Sequence, residues 1–259
     1  MNKIAVYTAI FNDYDWLKDP VIETSGIDFI CYTDSNKMSS KKWKVIKLDL
    51  GDMSPSLMNR KIKLLYPYTE LSQYDYTLYV DGSILIKGDI LKFLSKYIEK
   101  EPLLMNFKHP NNNCIFKEIN NCIEQGRGNA IKLDLQGKLY KQDGMPEKYG
   151  LSDNKIILRK NCGLGKSLMN EWFYHVQEYS GRDQVCLSYV LWKNGLNYNF
   201  FDENIEQNEY FETWPHRTDP YFQILWRKIK WFCERTGFGS NTVRFLNNKV
   251  KPLILKHGK

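Results

Sequence analysis

No apolar stretch of this chain approaches the ~20 residues that a bilayer-spanning helix needs. Its first residues, MNKIAVYTAIFNDYDW, enter a strand pattern without a basic region and long apolar core ahead of it. Neither a membrane span nor a signal peptide is therefore expected, and the expected location is cytoplasmic. Paired cysteines are also missing. Cys31, Cys114, Cys122, Cys162, Cys186 and Cys233 show no Cys-x-x-Cys spacing, which argues against a structural zinc site and for buried reduced thiols. Internal repeats and low-complexity segments are absent. The body of the chain lacks net charge as well. Residues 226–259 hold nine Lys and Arg against the single acid Glu234, and the rest carries 28 basic against 29 acidic residues. A neutral body with a basic tail does not suggest a nucleic-acid groove.

What is present defines a globular protein. The 259 residues suffice for one large α/β domain or two small ones, and 42% hydrophobic with 26% charged residues argues against disorder. KIAVYTAI (3–10), IDFICYT (27–33), WKVIKLDL (43–50) and YTLYV (76–80) read as strands. SLMNRKIKLL (56–65) and the segment after Asp89, an expected N-cap, read as helices, then EPLLMNFKHP as a strand and CIFKEINNCIEQG as a helix. This alternation predicts an open, mostly parallel α/β sheet, whose ligands gather at the carboxyl ends of the strands. Lys138 to Gly150 is rich in turn residues. A short strand NKIILRKN, a helix with Leu168, Trp172 and Val176 on one face, and a helix starting at Asp183 follow. Residues 196–215 are acidic and aromatic without clear periodicity.

Asp81-Gly82-Ser83 stands where a buried strand surfaces. One reading is a β-turn whose Asp and Ser satisfy local backbone groups. The other is a clamp for Mg2+ or Mn2+, a hard cation that one carboxylate and diphosphate oxygens can hold, with glycine letting the backbone turn closely. Thr8 to Asn12 and Thr33-Asp34 are polar strand ends too, so three such ends could form one site.

The ordered series VYTAIFNDYDWLKDP, DFICYTD, NRKIK, YDYTLYVDGSILI, HP with IFKE, and YSGRDQVCLSYV resembles the motif series of a glycosyltransferase-like domain family of GT-A type. That family is found in plant Golgi proteins and bacterial polysaccharide gene clusters, and the likeness covers residues 4 to about 217. It implies a GT-A-like nucleotide-sugar fold in residues 1–217. In that fold Thr8, Ala9, Tyr14, Thr33 and Asp34 would hold the nucleoside of a UDP-sugar, with Tyr14 available for stacking. Arg60 and Lys63, three apart on one helix face, would neutralise the diphosphate; a solvated basic face is the alternative. Asp81 and Ser83 would hold the divalent cation, completed by His216 after Trp214-Pro215. GT-A enzymes usually carry Asp-x-Asp, so Ser83 is a departure and a weaker ligand. Asp183 would be the catalytic carboxylate, as general base or as charge stabiliser; helix capping is its alternative. The substrate side would include His109, Glu118, Arg182 and Gln184.

The remaining residues, 218–259, are expected to form a basic amphipathic helical tail. In YFQILWRKIKWF the apolar Phe222, Leu225, Trp226, Ile229 and Phe232 recur at helical spacing, with Arg227, Lys228 and Lys230 mostly off that stripe. Such a helix can lie on an anionic membrane surface, here the inner leaflet, or pack on the body. Altogether the sequence predicts a glycosyltransferase acting on a glycan or glycolipid acceptor in surface polysaccharide or lipopolysaccharide assembly. Two rivals stay open. A nucleotidyltransferase would favour a glycine-rich basic loop that IFNDYDW does not supply. A non-catalytic membrane scaffold would leave Asp81 without consequence.

Overall fold

The computed structural model describes residues 2–221 together with 224, 225 and 227–229. The amphipathic stripe expected in the tail falls mostly outside the described residues, as does all of 230–259.

The chain begins β1 (Ile4–Ile10), β2 (Ile27–Thr33), β3 (Lys44–Lys47), α1 (Pro55–Leu65), β4 (Tyr76–Val80), β5 (Ile84–Ile86) and α2 (Ile90–Ile98). It continues β6 (Leu104–Lys108), α3 (Ile115–Glu124), α4 (Ala130–Gln142), β7 (Ser152–Lys160), α5 (Gly163–Glu178), α6 (Asp183–Lys193) and β8 (Phe211–Thr213). The main sheet has the order β3-β2-β1-β4-β7-β6. β1 pairs in parallel with β2 and β4, and β2 with β3, whereas β7 runs antiparallel to both its neighbours. β6 therefore points the same way as β4. The C-terminal ends of β2, β1, β4 and β6 and the N-terminal start of β7 share one edge of the sheet.

Both faces of this sheet are covered, which explains why β1 and β4 are buried at every position and, but for Thr8 and Thr77, do not alternate with polar residues. Ala5, Tyr7 and Ala9 face a core built with α1, α3, α4, α5 and α6. Ile4, Val6, Leu78 and Val80 face a second core under α2. Phe93 of α2 organises that side, with ring centroids 5.0 Å from Phe201 and Phe211 and 5.2 Å from Tyr210. These contacts anchor residues 196–213, where the sequence shows no period, and β8 closes them onto β5 in antiparallel pairing.

The turn-rich reading of 138–150 is corrected at its start, because α4 continues to Gln142. Its buried stripe, Leu133, Gln136, Gly137 and Tyr140, has helical spacing, yet two of the four are not apolar. Gln136 is held by donating to the Tyr140 hydroxyl at 2.8 Å, and Gly137 lets α3 approach, since a Cβ there would sit 3.2 Å from Ile119. Turns do follow, with Gly144 and Gly150 at φ 88° and 128°. No helix among the described residues is long and apolar enough to cross a membrane.

Candidate active site

β4 ends on buried Val80, and the Asp81 N–H continues the ladder by donating to the Lys155 carbonyl at 2.7 Å. The chain then turns at once. Ser83 donates to Asp81 Oδ1 twice, from its backbone N–H (3.0 Å) and its hydroxyl (2.8 Å). Asp81 thus caps its own turn with one oxygen, and its Oδ2 accepts no hydrogen bond among the described residues. Burial alone would raise this carboxyl's pKa, but Lys63, the two Ser83 bonds and Arg60 outweigh it and hold Asp81 below its ordinary value. Gly82 is required sterically: a Cβ there would meet Asp15 Oδ2 at 2.8 Å and Ile10 Cγ1 at 2.9 Å.

The loop after β1 closes over this turn. Asn12 and Asp13 take left-handed backbone (φ 54° and 48°), a conformation these residue types tolerate, and the Asn12 N–H donates to the Asp34 carboxylate. Lys18 Nζ donates to the Gly82 carbonyl at 2.7 Å. Asp15 Oδ1 lies 2.8 Å from His216 Nδ1, and the Tyr14 ring lies against the same imidazole with centroids 4.6 Å apart. The Asp15 hydrogen bond raises the pKa of His216 against the opposing effect of burial.

The opposite wall is α1. Ser54 caps it by accepting from the Leu57 N–H, and Pro55 occupies its first turn. One face then presents Asn59, Arg60 and Lys63. Asn59 donates to the Ala9 carbonyl at 2.7 Å and accepts from Arg60 at 2.6 Å. Lys63 is only 3% exposed. Its ammonium is 2.5 Å from Asp183 Oδ2, while Arg60 Nε is 3.5 Å from Asp183 Oδ1. The Lys63 carbonyl accepts from Arg159 at 2.5 Å and from the Tyr7 hydroxyl at 2.6 Å, which fixes α1 on the sheet. Asp183 opens α6, where the helix dipole favours a negative charge. Burial opposes ionisation, yet Arg60 and Lys63 prevail and hold its carboxyl well below the usual carboxylate range. Both oxygens are engaged by cations. That arrangement suits a fixed negative charge better than a proton acceptor, because a carboxylate of such low pKa is a weak base.

Between these walls lies a cavity of about 620 Å³. It brings together most of the residues expected from the sequence: Ala9, Tyr14, Arg60, Lys63, Asp81 and Ser83, and on the far side Arg182, Asp183, Gln184 and His216. Thr8 and Thr33 are buried outside its lining, and the Thr33 hydroxyl accepts from the Ser35 N–H in a local turn. Asp34 acts at one remove by holding Asn12. Ser83 hydrogen-bonds Asp81 and is 1% exposed, so it orients the carboxylate. His109 and Glu118 belong elsewhere. His109 lines a separate hollow of about 530 Å³, and Glu118 is buried beneath it, accepting from Asn112. Sequence reasoning did not single out Asp15, Lys18, Asn59 or Asp153-Asn154-Lys155. Asn59 was detectable, one residue before Arg60 on the same helix. The start of β7 was not, because only that strand's reversed direction brings it to the site. Among the described residues no three His, Cys, Asp or Glu side chains gather as a ready-made metal cage.

All but the last few of the described residues fall in a segment shared with known proteins. Residues 1–216 match the family described as TOD1/MUCI70, glycosyltransferase-like domain, and the chain belongs to this family. A relative from Arabidopsis thaliana, named "Probable hexosyltransferase MUCI70", is 21% identical over 214 residues, covering 72% of this chain and 37% of the relative. The chain therefore spans little more than a third of that relative's length.

Proposed function

We propose that this chain is a glycosyltransferase that takes a sugar from a uridine diphosphate donor and passes it to a hydroxyl of a glycan or glycolipid in surface polysaccharide or lipopolysaccharide assembly. The observation that carries the reading is the gathering of Arg60, Lys63 and Asp81 in one cavity at the carboxyl edge of a mostly parallel sheet. Its volume lies within the ~300–1,000 Å³ typical of small-molecule and cofactor sites. Membership of a glycosyltransferase-like family and a relative named as a hexosyltransferase support the same class.

The donor groups also suit a divalent cation. Asp81 offers a free carboxylate oxygen, and Mg2+ is commonly held by one or two carboxylates with substrate phosphates and water completing the shell. His216 has Nδ1 committed to Asp15, which leaves the Nε2 lone pair as a further ligand for the ion. When bound, such an ion supplies positive charge beside the departing diphosphate. The chain's own part is electrostatic. Arg60 and Lys63 are fixed before the substrate arrives, so little reorganisation accompanies the growth of negative charge on the leaving group. The cytoplasmic, membrane-surface setting belongs to this proposal and rests on the composition of residues 226–259.

The test is thermal unfolding with UDP, with and without Mn2+, for the native chain and Asp81→Asn. A ligand at 100 times its dissociation constant adds ~2.7 kcal/mol, or roughly 5–10 °C for a domain of this size. Asp81→Asn should lose the manganese-dependent part. A stronger response to nucleoside triphosphates than to UDP, or an unchanged manganese effect in the variant, would overturn the reading.

A further inference from the structure

We infer that the acceptor is a neutral oligosaccharide, longer than one sugar, lying along the β7–β6 part of the sheet edge. It would run from Asp153 beside the donor cavity to the asparagine-lined hollow at His109–Asn113. This deepens the donor reading above and rests on it.

The geometry comes from strand order. Along the shared edge stand Asn12 after β1, Asp81 after β4, the start of β7 at Ser152–Lys155, and Lys108 at the end of β6. Lys108 pairs with Ser152, and the His109 N–H donates to the Leu151 carbonyl. Neighbouring strands lie ~4.8 Å apart, so the end of β6 is about 10 Å from that of β4. Arg60, Lys63 and Asp81 commit the β1–β4 side to the donor. The β7–β6 side is left, and it is wider than one pyranose ring.

The spaces along that side share walls. Asp153 and Lys155 form a wall common to the donor cavity and an adjoining cavity of about 700 Å³. Pro110 is common to that second cavity and to the hollow of about 530 Å³. An acceptor chain would therefore lie across three neighbouring spaces, from the reacting end to the hollow.

The lining chemistry names the class of ligand. The side chains of Asn111 and Asn113, on the loop after β6, and of Asn120 and Asn121, on α3, make no hydrogen bond among the described residues. Each amide offers both donors and an acceptor, the combination that matches adjacent sugar hydroxyls. Charge is close to balanced: Lys108 and Lys117 face the hollow with Glu124, and Lys155 is already paired with Asp153 at 3.2 Å. A polyanion would call for a stronger cationic excess. At the boundary itself Asn154 is 3% exposed, and its Oδ1 accepts from Asn106 and Ser152. Its Nδ2 is buried without a partner, a donor that the protein leaves unsatisfied in the lining of the donor cavity, between the shared residues Asp153 and Lys155 in sequence.

The experiment uses the full chain with UDP and Mn2+ present. Fluorescently labelled gluco-, galacto- and N-acetylglucosamine oligosaccharides, from mono- to hexasaccharide, are titrated beside an oligouronide ladder. Affinity should rise about tenfold or more from monosaccharide to trisaccharide, and the double variant Asn113→Ala/Asn121→Ala should remove that gain, equivalent to one or two hydrogen bonds. These exposed positions spare the core, and UDP affinity of the same preparation reports on the donor cavity. UDP binding combined with no neutral glycan bound, with affinity independent of length, with a length gain untouched by the double variant, or with binding of oligouronides alone, would overturn the acceptor groove while sparing the donor site. Failure of the native chain to bind UDP would overturn both.

Discussion

Replacing Asp183 by asparagine keeps the shape of the side chain and removes only its charge, so it isolates what holds the cationic wall in place. Lys63 and Asp183 are 3% and 4% exposed, with the ammonium 2.5 Å from one carboxylate oxygen and Arg60 Nε 3.5 Å from the other. Coulomb attraction at ~4 Å is about 4 kcal/mol at an effective dielectric of ~20, before desolvation is counted. Removing one partner of a buried pair typically costs ~3–5 kcal/mol, since the other charge stays buried. At roughly 2–4 °C per kcal/mol, Asp183→Asn should lower Tm by about 6–20 °C. In a double-mutant cycle, Lys63→Met combined with Asp183→Asn should be less harmful than the sum of the single changes by up to ~3 kcal/mol. The pH dependence has a defined sign. Burial favours the neutral acid, but Arg60 and Lys63 keep the folded-state pKa of Asp183 depressed. Its contribution is therefore complete above the unfolded value of ~4 and drains away as pH falls toward the folded value. Urea unfolding of the two proteins should show a constant gap at neutral pH that closes below about pH 4. A variant within ~1 kcal/mol of the native chain, or a gap that widens in acid, would refute the buried ion triad.

Gly82→Ala drives a methyl group to 2.8 Å from Asp15 Oδ2 and 2.9 Å from Ile10 Cγ1, and overpacking of this kind costs ~1–3 kcal/mol. It should also weaken UDP binding in calorimetry, whereas Gly163→Ala, where a Cβ meets nothing within 4 Å, should do neither; equal behaviour of the two would count against the packed turn. Lys18 is pulled down to about 8 by burial, against the attraction of Asp15 and Asp81. The unfolded chain, with a lysine pKa of ~10.4, binds more protons between these values, so stability should climb with pH from about 8 to 10. NMR titration of reductively methylated lysines should show one midpoint near 8, missing in Lys18→Met; no midpoint below 10 would contradict the placement.

The sheet was legible because burial on both faces writes itself as short runs dominated by apolar and β-branched residues. IDFICYT and YTLYV match β2 and β4 residue for residue, and the Asp89 cap was visible from residue type alone. The site was legible where a local rule applied. A three-residue spacing put Arg60 and Lys63 on one helix face, and a carboxylate at a strand end stood out against its surroundings. What could not be read were the relations between distant segments. Nothing in LSDNKIILRK says that β7 is reversed, and that reversal alone carries Asp153 and Asn154 to the edge. Nothing in the spacing of Arg60 and Lys63 says that their partner is Asp183, 120 residues on from Lys63. α4 was hidden for another reason: a helix that buries glutamine and glycine while exposing Ile131 and Leu135 inverts the pattern used to find helices.

The charge balance of the cavity bears on the serine that replaces the second acid of the usual Asp-x-Asp. Arg60 and Lys63 are matched by Asp81 and Asp183, so this wall is near neutral. A diphosphate entering alone would bring uncompensated negative charge into a buried site, and its desolvation would oppose binding. A diphosphate entering with a divalent cation restores the balance, so the two should bind cooperatively; the manganese-dependent part of the UDP response measures that coupling. A carboxylate at position 83 would add a negative charge that Arg60 and Lys63 already have no surplus to offset. Ser83 instead orients Asp81 with two neutral hydrogen bonds and leaves the balance untouched. On this argument the departure at 83 goes with the buried Lys63–Asp183–Arg60 triad, and it does not by itself speak against a cation at Asp81.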